Sequence, residues 1–457
     1  MDKREGSERQ RVPQPLIKKR IASGRGATEQ PNATGDEHAA LNGPFWIALV
    51  LTGVLTGGLG AFLMWVLYLA ENAAFNYHSG SYQAAVAAVS GERRVISLVL
   101  ASLLGSLGWY LIRRFMKNRR AEIDDALWRG DGNLSFSRSI LTSLVSELVI
   151  GMGASIGREA APKLMGGASG SVFGRWLGLS PAQVRLLVAC GGGAGLAAVY
   201  NVPLGGALFT AEVLYGSLSL PVVAPALVCT GLATFVGWLY LPGGATYADI
   251  RDYHFSASIM AFSLVAGLVV GLVAVVYVRA VGWASHHRAS GVHLFWAMPL
   301  TFLGVGALGI WYPQLFGNGK DMAHQAFLGV GGAGLLFALF ALKPLVTSFT
   351  LASGAAGGVF TPFLSTGAVL GGWLGLVWVH VWPGSSVGAY ALVGAAAMIG
   401  ASMQAPLAGL ALVMEMTHSG LNIMVPMIVA TAIATMFVRY VDGYSMYSAR
   451  LPQREPE

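Results

Sequence analysis

The sequence predicts an all-α polytopic membrane protein, built as two repeats with broken, tilted helices. Three observations predict it. Of 457 residues, 54% are hydrophobic and only 11% charged, against roughly 25% charged in average soluble proteins. With a mean hydropathy of +0.60, so few charges cannot cover a water-facing surface, and lipid must solvate most of the chain. Second, several apolar segments are shorter than the ~20 residues a spanning helix needs and are interrupted by Gly and Pro. At membrane depth such breaks are tolerated only where backbone is buried in protein or lines a polar path. Third, motifs of the first half recur in the second.

The elements follow in order. Residues 1–43 form a polar tail of mixed charge. It lacks the apolar core of a secretory signal and reads as mostly disordered, with "PLIKKRIA" as a short surface helix. The sequon Asn32-Ala33-Thr34 is a chance match if the tail is cytoplasmic. The first membrane repeat, 44–241, holds apolar segments at 44–72, 95–116, 138–156, 160–178, 183–199, 203–217 and 219–241. A polar connecting loop spans 242–257. The second repeat, 258–440, holds segments at 258–284, 293–312, 325–353, 360–382, 388–402, 406–417 and 421–440, and a C-terminal segment runs over 441–457. The 61 glycines let membrane helices approach closely.

The net charge of +7 sets topology rather than marking a nucleic-acid surface. Lys18-Lys19-Arg20, the cluster Arg113-Arg114, Lys117, Arg119-Arg120, and finally Arg450 and Arg454 flank apolar segments. The positive-inside rule therefore puts both termini and the loop near residue 117 in the cytoplasm. Cys190 and Cys229 make no disulfide framework. The nine histidines show no metal-ligand spacing, and no cofactor is implied.

The repeat is concrete. "NVPLGGALFTAEV" (201–213) resembles "QAPLAGLALVMEM" (404–416): Pro203 pairs with Pro406, Gly206 with Gly409 and Glu212 with Glu415. "GREAAP" (157–162) lies about 200 residues before "GGVFTP" (357–362). Each of these Gly-to-Pro elements opens an apolar helix. Pro fits the first turn, where its missing N–H is not needed, and Gly lets backbone approach a ligand. Two helix N-termini with free N–H groups, each carrying about half a positive charge, then point into the membrane. Such ends bind anions, and inverted repeats can converge two of them on one point.

Several residues compete for chemistry. "GASIG" (153–157) matches the nucleophile-elbow pattern, but it lies between membrane segments with no histidine nearby in sequence. An enzyme is therefore not expected. Glu159 is an intramembrane acid at a helix start. It is either a structural partner of Arg158 or Lys163, or a tethered carboxylate in the place of a permeant anion; the functional reading is favoured. Glu212 and Glu415, at matching repeat positions, read as structural hydrogen-bonding groups, and Glu147 stays open. Lys163 either raises local anion concentration or snorkels and packs. "GNGKD" (317–321) lacks the remaining phosphate-loop residues.

Together, "GREAAP", "NVPLGGALFTAEVLYG", "GNG", "GGVFTP" and "MYSARL" resemble the CLC family of chloride channels and proton/chloride antiporters over most of residues 44–451. In detail the likeness is closest to its bacterial ClcB-type branch. The resemblance implies the CLC fold of two inverted-topology repeats, a homodimer with one anion path per subunit in a bacterial inner membrane, and chloride or similar small anions, protons and lipid as partners. It implies Glu159 as the gating glutamate, with Arg158 and Ala160 beside it as anion-binding residues, backbone amides of Val359 and Phe360 as central anion donors, and Tyr447 as the hydroxyl meeting the anion from the cytoplasmic side. No CBS pair is expected.

Departures from the family pattern carry consequences. Its first signature aligns with "KNRRA" (117–121), so Asn118 replaces an anion-holding serine; an amide still donates. Where antiporters carry an inner proton-relaying glutamate, this chain has Val213, which holds no proton. The expected function is a passive or weakly coupled chloride channel gated by a protonatable glutamate. The alternative is a proton-coupled anion antiporter using a different internal route, through water, Glu212 or Asp124.

Overall fold

The computed structural model describes residues 41–116, 122–128 and 130–451. The polar tail up to residue 40, Asn118 and its neighbours in 117–121, and Arg454 lie outside the described residues.

Among the described residues there are seventeen α-helices. The first nine are α1 (Gly43–Phe75), α2 (Tyr82–Ala88), α3 (Gly91–Phe115), α4 (Ile123–Trp128), α5 (Phe136–Gly151), α6 (Ala160–Trp176), α7 (Pro181–Tyr200), α8 (Pro203–Phe209) and α9 (Leu220–Gly237). The rest are α10 (Ala257–His286), α11 (Leu294–Trp311), α12 (Lys320–Phe327), α13 (Ala333–Ala352), α14 (Phe360–Val381), α15 (Val387–Met403), α16 (Pro406–Thr417) and α17 (Met424–Val441). Nine helical segments in this set are long and apolar enough to cross a membrane. No strand occurs among the described residues beyond one isolated backbone bridge, Gly157–Gly358.

Local chemistry sets the boundaries. Asn42 Oδ1 accepts from Phe45 N at 3.1 Å, with Pro44 in the first turn of α1. Asn76 closes that helix in the left-handed region, at φ 56°, which Asn tolerates better than most residues. Ser180 and Gln183 form a reciprocal capping box that spans Pro181, the first residue of α7. The expected segment 325–353 is broken: α12 ends at Phe327 and α13 starts at Ala333, with Gly329 and Gly331 at positive φ between them. Three short helices, α2, α4 and α12, fall outside the expected segments or straddle their edges. Their polar residues, such as Asp124, Asp125 and Asp321, interrupt the apolar runs that marked the others.

Packing pairs recur along the chain. Helix α6 packs on α7 as α14 packs on α15, and α1 packs on α9 as α10 packs on α17. Glycines make the first of these contacts close. A Cβ on Gly191 would overlap the carbonyl oxygen of Gly166, and one on Gly394 would meet that of Gly367. Small residues allow this approach between membrane helices, where van der Waals packing drives association. Large apolar side chains such as Trp65, Leu104, Leu272 and Trp296 remain exposed on the outer face, which suits a lipid environment.

Candidate functional site

The two Gly-to-Pro loops meet. Gly157 N donates to Gly358 O at 2.8 Å and Gly358 N donates to Gly157 O at 2.8 Å. This clasp sets the N-terminus of α6 against that of α14. A Cβ on either glycine would overlap the Glu159 carboxylate, so a side chain at either position would displace that carboxylate from where it lies.

Glu159 lies between the two helix starts and is 5% exposed. Its Oε1 accepts from Phe360 N at 2.7 Å. Its Oε2 accepts from Thr361 Oγ1 at 3.2 Å and from Tyr200 Oη at 3.5 Å. Tyr200 and Thr361 are themselves 2.9 Å apart. The carboxylate thus occupies the N-terminal end of α14, where free N–H groups and the helix dipole favour an anion. Val359, expected as a second amide donor, is buried at the same helix start but takes no part in this contact.

Arg158 turns the other way. Its guanidinium lies 5.2 Å from the Tyr200 ring centroid, and it lines a cavity of about 40 Å³ together with Glu71, Lys320 and Asp321. Ala160 faces a second cavity of about 140 Å³, lined also by Tyr447, Lys163 and Asp124 and by Arg113, Arg138, Arg288 and Arg450. Glu159 therefore sits between a small cavity on the Arg158 side and a strongly basic one on the Tyr447 side. Tyr447 is 6% exposed, packs edge-on to Phe209 at 5.9 Å, and carries the Lys163 ammonium 4.6 Å from its ring centroid.

Val213 is buried among apolar side chains in a π-helical turn, Thr210–Tyr215, that continues α8. The adjacent Glu212 points elsewhere: its carboxylate accepts from Ala408 N at 2.7 Å and Leu407 N at 3.5 Å. Glu415 accepts from Gly205 N at 2.5 Å and Leu204 N at 3.0 Å. Each glutamate caps the helix opened by the proline of the other motif. This is the structural hydrogen-bonding role expected for the pair.

Ser155 is not poised as a nucleophile. It is buried and accepts from Lys343 Nζ at 2.9 Å, while the same ammonium donates to Gly317 O at 2.8 Å and Leu315 O at 3.2 Å. An ammonium has three protons and no lone pair, so a lysine committed to three acceptors is no general base. Lys343 instead ties the loop before Glu159 to the "GNG" turn. Sequence reasoning missed Lys343, Tyr200, Thr361 and Glu71. Buried ionisable residues in apolar helices were a usable signal for Lys343 and Glu71; nothing local marked Tyr200 as a partner of Glu159.

A family model described as "Voltage gated chloride channel" matches residues 98–439. Similar curated proteins include the voltage-gated ClC-type chloride channel ClcB of Salmonella typhi, 30% identical over 408 residues, covering 87% of this chain and 96% of that protein. The protein of the same name from Yersinia pestis is 31% identical over 414 residues, covering 87% and 98%. Among solved structures, a slow cyanobacterial Cl⁻/H⁺ antiporter superposes with a TM-score of 0.78 at 21% identity, covering 89% of this chain and 97% of that one. A CLC-type fluoride/proton antiporter gives a TM-score of 0.71 at 19% identity, with the same coverage.

Proposed function

The chain belongs to the voltage-gated chloride channel family, the CLC family, in its ClcB-type branch, and from that premise we propose that it conducts chloride or a similar small anion as a passive or weakly coupled channel gated by Glu159. It is a multi-pass membrane transport protein and not an enzyme. In the proposed mechanism, ionised Glu159 fills the anion position at the start of α14 and closes the path. When protonated or displaced it leaves, and an anion takes over the Phe360 amide. Backbone dipoles then replace part of the anion's hydration shell. The 2.7 Å contact between Glu159 Oε1 and Phe360 N, with a cavity on either side, is the observation that carries this reading. Arg158 and Ala160 would flank the path on its two sides, with the Val359 amide and Tyr447 as further ligands.

The channel mode rests on Val213, which is apolar and packed. The alternative, a proton-coupled antiporter with another internal proton route, draws support from two similar structures named as antiporters. We further propose that residues 44–241 and 258–440 are inverted repeats, that the protein is a homodimer in a bacterial inner membrane, and that both termini are cytoplasmic. Reciprocal capping by Glu212 and Glu415 supports the repeat. Purified protein in liposomes, with chloride and pH recorded together, tests the mode. Chloride efflux without proton movement is expected. Uphill proton movement in fixed ratio to chloride would overturn the channel mode, and absence of anion flux would overturn the function itself.

A further inference from the structure

Lys163 is a cation in the wall of the basic cavity, one turn of α6 beyond Glu159. The Lys163 N–H donates to the Glu159 carbonyl at 3.2 Å, and four residues of helix advance about 6 Å, so both side chains leave one helical face. Its side chain is 12% exposed, and its ammonium lies 3.2 and 3.3 Å from the two oxygens of Asp124, whose side chain is 19% exposed. The ammonium also rests over the Tyr447 ring, 4.6 Å from the centroid. Lys163, Asp124, Tyr447, Ala160 and Ala161 line the same cavity.

Two roles are open to such a pair. As a strut, the ion pair would fix α4 against α6, and both partners would contribute to the same end. As part of the path, the ammonium would be a fixed charge available to whichever anion is beside it. Geometry favours the second role. The pair lines a cavity, and the ammonium is also held against the Tyr447 ring by a cation–π contact that does not depend on Asp124. Asp124 and an arriving anion carry the same charge and want the same ammonium. The tether of Asp124 is short, because a single methylene joins its carboxylate to the backbone of α4.

We propose that Lys163 is an anion ligand at the Tyr447 end of the path and that Asp124 is its tethered competitor, so that the pair sets anion affinity there. Glu159 would compete for backbone amides at one level and Asp124 for an ammonium one turn away. This inference rests on the anion-path reading of the preceding section and adds to it a residue that determines affinity.

The test is chloride binding by calorimetry on detergent-purified full-length protein titrated with potassium chloride, alongside chloride efflux from liposomes. Lys163→Met weakens chloride binding and Asp124→Asn tightens it, each by about tenfold, the scale of a close charge pair at a partly desolvated site. The double variant behaves as Lys163→Met, and Lys163→Arg keeps most of the wild-type affinity. If Lys163→Met does not fold, the tightening in Asp124→Asn still decides. Shifts of the same sign, or no shift in Asp124→Asn, would mean a strut and overturn the proposal. Wild-type protein that neither binds nor releases chloride would overturn the anion path itself, and a wild type that does both while the variants fail to diverge overturns only the role of Lys163.

Discussion

Glutamine at position 159 removes one charge and almost no volume, which isolates the part of the site that the proposed gate depends on. In the ionised protein the carboxylate accepts from Phe360 N at 2.7 Å and Thr361 Oγ1 at 3.2 Å. A hydrogen bond to a charged acceptor contributes about 1.5–3 kcal/mol, against about 0.5–1.5 for a neutral one. Each of the two shorter bonds therefore weakens by about 1 kcal/mol on neutralisation. Loss of the charge at the start of α14 removes about 0.5–1 kcal/mol more. The sum, about 2.5–3 kcal/mol, lowers occupancy of the closed position roughly 60- to 140-fold, at 1.4 kcal/mol per decade. Chloride efflux from liposomes at pH 7.5 and 4.5 reads this directly. Wild-type efflux rises on acidification, because protonation removes the same charge. Glu159→Gln is faster than wild type at pH 7.5 and flat between the two pH values. A glutamine variant that elutes as wild type does, and keeps both the wild-type rate and its pH dependence, would refute the gate.

Three further perturbations follow from the geometry. Gly191→Ala drives a Cβ into the Gly166 carbonyl, and because backbone cannot yield as a side chain can, it should destabilise by about 3 kcal/mol, read as a lower unfolding temperature in detergent. Lys343→Met leaves Ser155 Oγ, Leu315 O and Gly317 O without their donor. Relief of a buried charge offsets part of that loss, so a net cost of about 2 kcal/mol is expected in thermal unfolding, together with reduced flux, because the loop it holds leads to Glu159. Glu122 lies outside the spanning helices. Its side chain is 69% exposed, so the desolvation that would raise its carboxyl is only partial, and Arg288, Arg450, Arg113 and Arg138 outweigh it and hold the group below its ordinary 4.5. A lowered folded-state pKa gives stability that is present above the ordinary value and lost as pH falls through the lowered one. Glu122→Gln should therefore cost about 0.5 kcal/mol at neutral pH, with the two proteins converging in acid below the ordinary carboxylate range.

Much of this protein was legible from composition and local pattern. Long apolar runs located the spanning helices, because lipid imposes a minimum length and excludes charge. Prolines at 162, 203, 362 and 406 fall in the first turns of helices, where their geometry is pre-organised. Glu159 was legible because an acid in an apolar segment requires a reason. The short helices α2, α4 and α12 were not, since 7, 6 and 8 residues are about two turns, too few for an apolar period to stand out.

What the sequence determined alone, then, was that two helix starts of like construction exist and that one bears a carboxylate. Only the tertiary structure decided what that carboxylate meets. Phe360 N is 201 residues away along the chain, and the mutual clasp of Gly157 and Gly358 that brings the two together is made by backbone atoms any residue carries. The same holds for the exchange by which Glu212 and Glu415 cap each other's helices, for Tyr200 beside Glu159, and for Lys163 against Tyr447. Propensity, capping and hydropathy act over a few residues and leave a local trace. Partners hundreds of residues apart are chosen by how the helices pack, and packing is a property of the whole chain.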